Sequence, residues 1–179
     1  MGEVNTGKPA LGGSVFRAPV GTTLPTTATA QKDAAFKSMG YVSEDGVTNS
    51  SGIETTDIKE WGGKTVLTTY NSRTDTFALT FISSRNEEVL KDTFGDGNVT
   101  IDASGNVSIS VNNDAREPHA YCIDMIGDDG KAERIVIPKG AISAVGDITY
   151  KSDTAIGYNL TITALADASD NTYYNYKEG

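Results

Sequence analysis

The stretch Thr76-Phe77-Ala78-Leu79-Thr80-Phe81 places a large apolar residue at every second position, with small or hydroxylated residues between. Successive side chains of an extended chain point to opposite faces, so this pattern predicts a strand with one buried face and one wet face. The same alternation recurs downstream. Val107, Ile109 and Val111 alternate with Asn106, Ser108 and Ser110, and Leu160, Ile162 and Ala164 alternate with Asn159, Thr161 and Thr163. Residues 66–70, 120–126, 132–137, 142–150 and 172–176 are further strand candidates. Turn residues punctuate them at Gly95-Asp96-Gly97-Asn98, Ser104-Gly105-Asn106 and Asp128-Asp129-Gly130.

One segment departs from period two. Ser84-Arg85-Asn86-Glu87-Glu88-Val89-Leu90-Lys91-Asp92-Thr93-Phe94 has a capping residue, acids in the first turn, apolar residues at 89, 90 and 94, and a stop at Gly95. It predicts a single short helix that lies across the sheet through Val89, Leu90 and Phe94. The expected fold is mainly β: a β-sandwich or curled sheet of about eight strands with one short α-helix.

Upstream, residues 1–32 read as an extended N-terminal arm. They hold Pro9, Pro19 and Pro25, and their apolar residues stand apart at Leu11, Val15, Phe16, Val20 and Leu24. Such a segment cannot bury enough apolar area by itself to offset its ordering entropy. It is either free or held by a neighbouring subunit through Phe16 and Leu24. A short amphipathic piece is expected at 31–39, ending at Gly40, and Tyr41-Val42 opens the first strand. Residues 44–64, polar and rich in glycine, read as a long mobile loop carrying Asp57, Ile58, Lys59, Glu60 and Trp61. Trp61 is either an interface anchor or folded back on its own core. Residues 33–179, loop included, form a single domain.

The composition agrees with a turn-rich β protein: 19 glycines in 179 residues, with 37% hydrophobic residues. A formal charge of −9 argues against gripping nucleic acid by its phosphates. It leaves open a protein past which DNA must slide. Neither a secretory signal nor a membrane-length apolar run is present, so a soluble protein made in the cytoplasm is expected. The single cysteine, Cys122, offers no intrachain disulfide, and four Asn-x-Ser/Thr triplets read as strand and turn sequence.

Catalysis has little to work with. His119 is the sole histidine, and Cys122, three residues along the same expected strand, projects from the opposite face. Gly2-Glu3-Val4-Asn5-Thr6-Gly7-Lys8 has the glycine spacing of a phosphate loop, but Pro9 replaces the metal-ligating hydroxyl. Asp102-Ala103-Ser104-Gly105-Asn106 begins like a calcium loop but lacks its glycine and closing glutamate. Asp124, Asp128, Asp129 and Glu133 gather at one expected hairpin and read as a solvated tip. No catalytic, cofactor or metal residue is assigned.

Three stretches carry a resemblance. Gly12-Gly13-Ser14-Val15-Phe16-Arg17-Ala18-Pro19-Val20-Gly21-Thr22-Thr23-Leu24-Pro25, Phe36-Lys37-Ser38-Met39-Gly40-Tyr41-Val42-Ser43-Glu44-Asp45-Gly46-Val47, and Val145-Gly146-Asp147-Ile148-Thr149-Tyr150 leading to Tyr158 occur in order along most of the chain. Together they resemble the major tail (tail tube) proteins of long, flexible-tailed bacteriophages, particularly those of Gram-positive and actinobacterial hosts. The resemblance implies a virion protein assembled in the bacterial host cytoplasm, whose subunits form six-fold rings stacking into a tube. Genomic DNA would cross its lumen without specific binding, and tape-measure and tail-terminator or tip proteins would be its partners. Phe16, Arg17 and Leu24 of the arm, with Asp57, Ile58, Lys59, Glu60 and Trp61 of the loop, are the expected subunit contacts. Many relatives carry an added immunoglobulin-like domain. The sequence runs to Gly179 without one, which puts a surface-decorating role in doubt. The competing reading is a β-sandwich carbohydrate- or surface-binding module using Tyr173, Tyr174 and Tyr176, although 173 and 174 fall on opposite strand faces.

Overall fold

The computed structural model describes residues 5–10 and 14–179. Gly2, Glu3 and Val4 of the glycine-spaced stretch, and Leu11, Gly12 and Gly13, lie outside the described residues. The chain runs β1 (Lys8–Pro9), β2 (Val15–Pro19), β3 (Lys37–Ser38), β4 (Val42–Lys59) and β5 (Thr65–Phe81), then α1 (Glu87–Phe94) and a 3-10 turn (Asp96–Asn98). It continues through β6 (Val99–Ile101), β7 (Val107–Ile109), β8 (His119–Ile126), β9 (Ala132–Val145), β10 (Tyr158–Ala164) and β11 (Tyr174–Lys177). The fold is mainly β with one α-helix among the described residues, as the alternation predicts. One curled antiparallel sheet carries the order β3-β2-β8-β9-β10-β5-β4, with β1 also pairing β8 and β11 also pairing β9; β6 and β7 form a separate ribbon.

Two of the three alternating stretches become interior strands of the sheet; the third, 106–111, lies off it in the β6–β7 ribbon, and Val107 and Val111 are exposed because no described residue covers them on that ribbon's expected inner face. Phe77, Leu79 and Phe81 of β5 face Ile162, Leu160 and Tyr158 of β10 in register, and all six are buried. They join Val15, Met39, Tyr121, Ile123 and Ile137 in the main core, which α1 covers with Val89 and Leu90. Ala120, Cys122 and Val136 face the other way into a smaller core with Ala18 and Phe36. β8 is therefore buried on both faces, which explains its near-continuous apolar sequence.

β9 is one strand where the sequence suggests two. Pro138 interrupts the pattern, but it falls where the β8–β9 register shifts, between the pairs Tyr121–Ile137 and His119–Gly140. A bulge tolerates the missing N–H of proline. Past the bulge β9 exchanges β11 for β10 as its outer neighbour. The helix starts two residues later than Ser84 would place it: Asn86 is the cap, its side chain accepting from the Glu88 and Val89 amides at 3.0 and 3.2 Å.

Three expectations change. Residues 15–19, assigned to the arm, are the paired strand β2, because hydrogen bonding to β8 supplies the ordering energy that isolated apolar residues cannot. Residues 31–39 form a turn and β3 in place of an amphipathic piece. Phe36 enters the smaller core and Met39 the main one, so the two anchors pull towards opposite faces. Residues 44–64 are no loop: they continue β4 into an antiparallel hairpin with β5, closed by a turn in which Glu60 N donates to Lys64 O at 2.9 Å. Strand alternation records burial, and beyond Asp75 neither face of this hairpin is covered, so no alternation was selected.

Candidate assembly surface

The hairpin of β4 and β5 leaves the sheet where β10 ends, at the pair Ala164–Asp75. From there, residues 51–74 stand as a two-stranded ribbon. Such a ribbon gains little stability in water by itself. It nevertheless carries Ile53, Ile58, Val66, Leu67 and Tyr70 exposed, and Trp61 fully exposed at its tip. Ile58 and Leu67 are direct cross-strand partners, which puts two bare aliphatic side chains on one face. Trp61 is thus not folded onto its own core. Asp57, Lys59 and Glu60 are exposed beside it, and Asp57 accepts from the Thr68 hydroxyl at 2.6 Å. The structure therefore groups the five expected loop contacts at the end of one projecting element. It adds Ile53 of β4, passed over within the expected loop, and Val66, Leu67 and Tyr70, left unassigned because 66–70 read as an ordinary body strand.

The contacts expected from the arm lie elsewhere. Phe16 is half-buried on the smaller core with the Lys32 ammonium 3.8 Å above its ring, and Leu24 packs against the same cluster. Arg134 holds the intervening chain against the sheet by donating to Thr27 O at 3.1 Å and Ala30 O at 2.6 Å, while its Nε pairs with Asp124 at 2.6 Å. Arg17 is buried between β2, α1 and β8. Its guanidinium bonds Glu88 and Asp96, reaches His119 Nε2 at 2.9 Å, and has Nε 2.7 Å from Asp92 Oδ1 without hydrogen-bond alignment.

This cluster has its own electrostatics. Burial pushes the Asp92 carboxyl up to about 7 against the pull of Arg17 and of the Tyr121 hydroxyl, which donates at 2.8 Å. Burial, then Arg17, lowers the His119 imidazole, favouring its neutral form. Asp92, Asp96 and His119 place ligand atoms within 4.8 Å of one another, but the Arg17 guanidinium already sits among them as the counter-cation. One sequence signal could have revealed this: Arg17 has the same strand parity as the buried Val15, and an inward arginine requires acids facing it.

The remaining candidates resolve into turns and packing. Asp102 accepts from the amides of Ser104 and Asn106, both at 2.8 Å, closing the β6–β7 turn. Asp128 and Asp129 are exposed at the β8–β9 tip, whereas Asp124 is buried against Arg134 and Lys32. Burial drives the Cys122 thiol up to about 12, and His119 points to the opposite side of β8. Tyr174 and Tyr176 stack in parallel at 6.1 Å upon the smaller core, while Tyr173 meets Phe77 edge-on at 5.2 Å from the other face.

What the described residues leave uncovered is a projecting ribbon with apolar side chains near its tip. A family profile described as phage tail tube protein matches residues 6–178. The chain belongs to the phage tail tube protein family. That family is structural, so the chain is a virion component that self-assembles into a tube with other tail proteins. A search of curated proteins found no match. Among the described residues no helix is long and apolar enough to cross a membrane.

Proposed function

We propose that six copies of this tail tube protein close into a ring, that rings stack into the tail tube, and that the phage genome passes through the lumen into the host. The observation that carries the reading is the β4–β5 hairpin. It exposes Ile58, Trp61 and Leu67 on a ribbon too thin to cover them, and apolar surface of this kind marks an interaction site. The outer edge of β4 is long and unpaired among the described residues, a hazard in a monomer that a neighbouring subunit removes. Asp57, Lys59 and Glu60 flank the apolar tip as a polar rim, and Phe16, Arg17 and Leu24 act at second hand by fixing the strand and strap on which a neighbour rests. The charge of −9 suits a conduit, because a wall poor in free cations does not hold phosphates. Tape-measure and terminator or tip proteins complete the tail, which assembles in the host cytoplasm. Negative-stain electron microscopy of concentrated purified protein tests this: rings or tubes are expected, and a strictly monomeric species under all conditions would reject it.

A further inference from the structure

Asp75 is a buried carboxylate at the root of the hairpin, and its partners come from every side of that root. It accepts from the Ser51 hydroxyl of β4, from Arg73 Nε of β5 with both oxygens at 3.0 Å, and from the Thr172 hydroxyl of the β10–β11 loop at 2.7 Å. It is also the last residue of β5 that pairs with β10. Below it the ribbon belongs to a sheet; above it the ribbon is unsupported. On the side facing residues 163–173 an open cleft of about 780 Å³ separates Tyr70–Thr74 from the β10–β11 loop, so no packing there fixes the ribbon's inclination. Tyr173, edge-on to Phe77, holds that loop to the body and so gives Thr172 a fixed position.

We infer that Asp75 is a positioning residue for assembly: by joining Ser51, Arg73 and Thr172 at one buried point it sets the angle at which the hairpin meets a neighbouring subunit. This rests on the assembly role proposed for the hairpin. A buried carboxylate with three donors holds direction better than an apolar contact, because each bond fixes a distance and an angle. Burial alone would raise its titration, yet the bonds from Ser51, Thr172 and Arg73 outweigh that and hold it below the ordinary carboxylate value, so it stays charged in neutral solution.

Two variants test it: Asp75→Asn, which removes the charge, and Thr172→Val, which removes one bond and leaves the Asp75 carboxylate its donors Ser51 and Arg73. Spin labels at Lys64→Cys, near the tip, and Ala144→Cys, exposed on β9, report the hairpin's inclination in the monomer; Cys122 is buried and does not label. A narrow distance distribution is expected for the parent and a broadened or displaced one for both variants. Assembly followed by light scattering should slow by about tenfold or more, the worth of one hydrogen bond to a charged group, with Thr172→Ser restoring it and Thr172→Val, which loses the same bond in the monomer, melting about 3–12 °C lower but still folded. Unaltered distance distributions in Thr172→Val would overturn the inference even if Asp75→Asn fails to fold. Failure of the parent to assemble would instead count against the proposed function, since the label distances in the monomer still read the positioning itself.

Discussion

Replacing Arg17 by methionine keeps much of the aliphatic stem and removes the guanidinium that bonds Glu88 and Asp96 and forms an ion pair with Asp92. The Asp92 side chain is almost completely buried, so the variant leaves a carboxylate in the interior with the Tyr121 hydroxyl as its remaining donor. Removing one partner of a buried ion pair costs about 3–5 kcal/mol. For a chain of this length each kcal/mol lowers the melting temperature by about 2–4 °C, giving a fall of about 6–20 °C. The loss depends on pH. Without Arg17, whose charge lowers the Asp92 titration, that carboxyl titrates still higher and is neutral in mild acid, so the penalty shrinks there. Thermal melts by circular dichroism on dilute protein at pH 5 and pH 8 should show the larger deficit at pH 8. A melt within about 2 °C of the parent at pH 8, or a larger deficit at pH 5, refutes the buried-counterion argument. A normal melt joined to lost assembly would return Arg17 to the direct subunit contact its place in the sequence suggested.

Trp61→Ala and Leu67→Ser should leave the melt within about 2 °C, since both residues are solvent-exposed, yet raise the concentration needed for assembly by about tenfold or more; a lost fold would place these side chains in the core after all. Asp92→Asn should remove a falling limb from the pH profile. The folded carboxyl titrates at about 7 against an ordinary 3.8, so its contribution is full below about pH 4 and is lost as pH rises through 7. Urea melts from pH 4 to 8 read this directly, and an identical slope in both proteins would count against it. Asp75, Asp102, Asp128, Asp129 and Asp167 are all lowered and act with the opposite sign, in a window below that of Asp92. Gly140→Ala sets a Cβ 2.6 Å from Ile162 Cγ2 and 2.9 Å from the Tyr121 ring, both in the core, and should cost about 1–3 kcal/mol by thermal melt.

Period two was legible wherever burial wrote it. Phe77 to Phe81 and Leu160 to Ala164 announce their strands and pair with one another, and Val89 and Leu90 announce the helix face. β2 was not legible because five residues that alternate apolar groups with an arginine look like arm until the acids of α1 are placed opposite Arg17. The hairpin was hidden for the converse reason: residues 51–74 bury nothing in the isolated chain, and Gly46, Gly52, Gly62 and Gly63 gave the composition of a loop. Two of these are turn requirements, Gly63 at φ 85° in the tip and Gly46 at φ 71° where β4 bulges between Val42 and Val47. Of the proposed assembly surface, Ile58 and Trp61 were legible as apolar residues in a polar segment. Leu67 and Tyr70 were not, since a strand residue is exposed or buried according to what lies beyond the sheet's end.

What hid the hairpin also bears on what it is for. Residues 51–74 are extended and almost wholly exposed, so their strand form owes nothing to packing within their own subunit. In the monomer it relies on its turn, on cross-strand contacts such as Thr68 with Asp57, and on the buried Asp75 at its root. Each is polar or local, so the ribbon keeps a direction without collapsing its apolar side chains onto the body. A contact between the tip of one copy and a different surface of the next is head-to-tail. Such contacts propagate into rings or filaments, whereas a self-complementary patch stops at a dimer. A tube needs the first kind, and the contact proposed through Trp61, at the exposed tip of the ribbon, is of that kind.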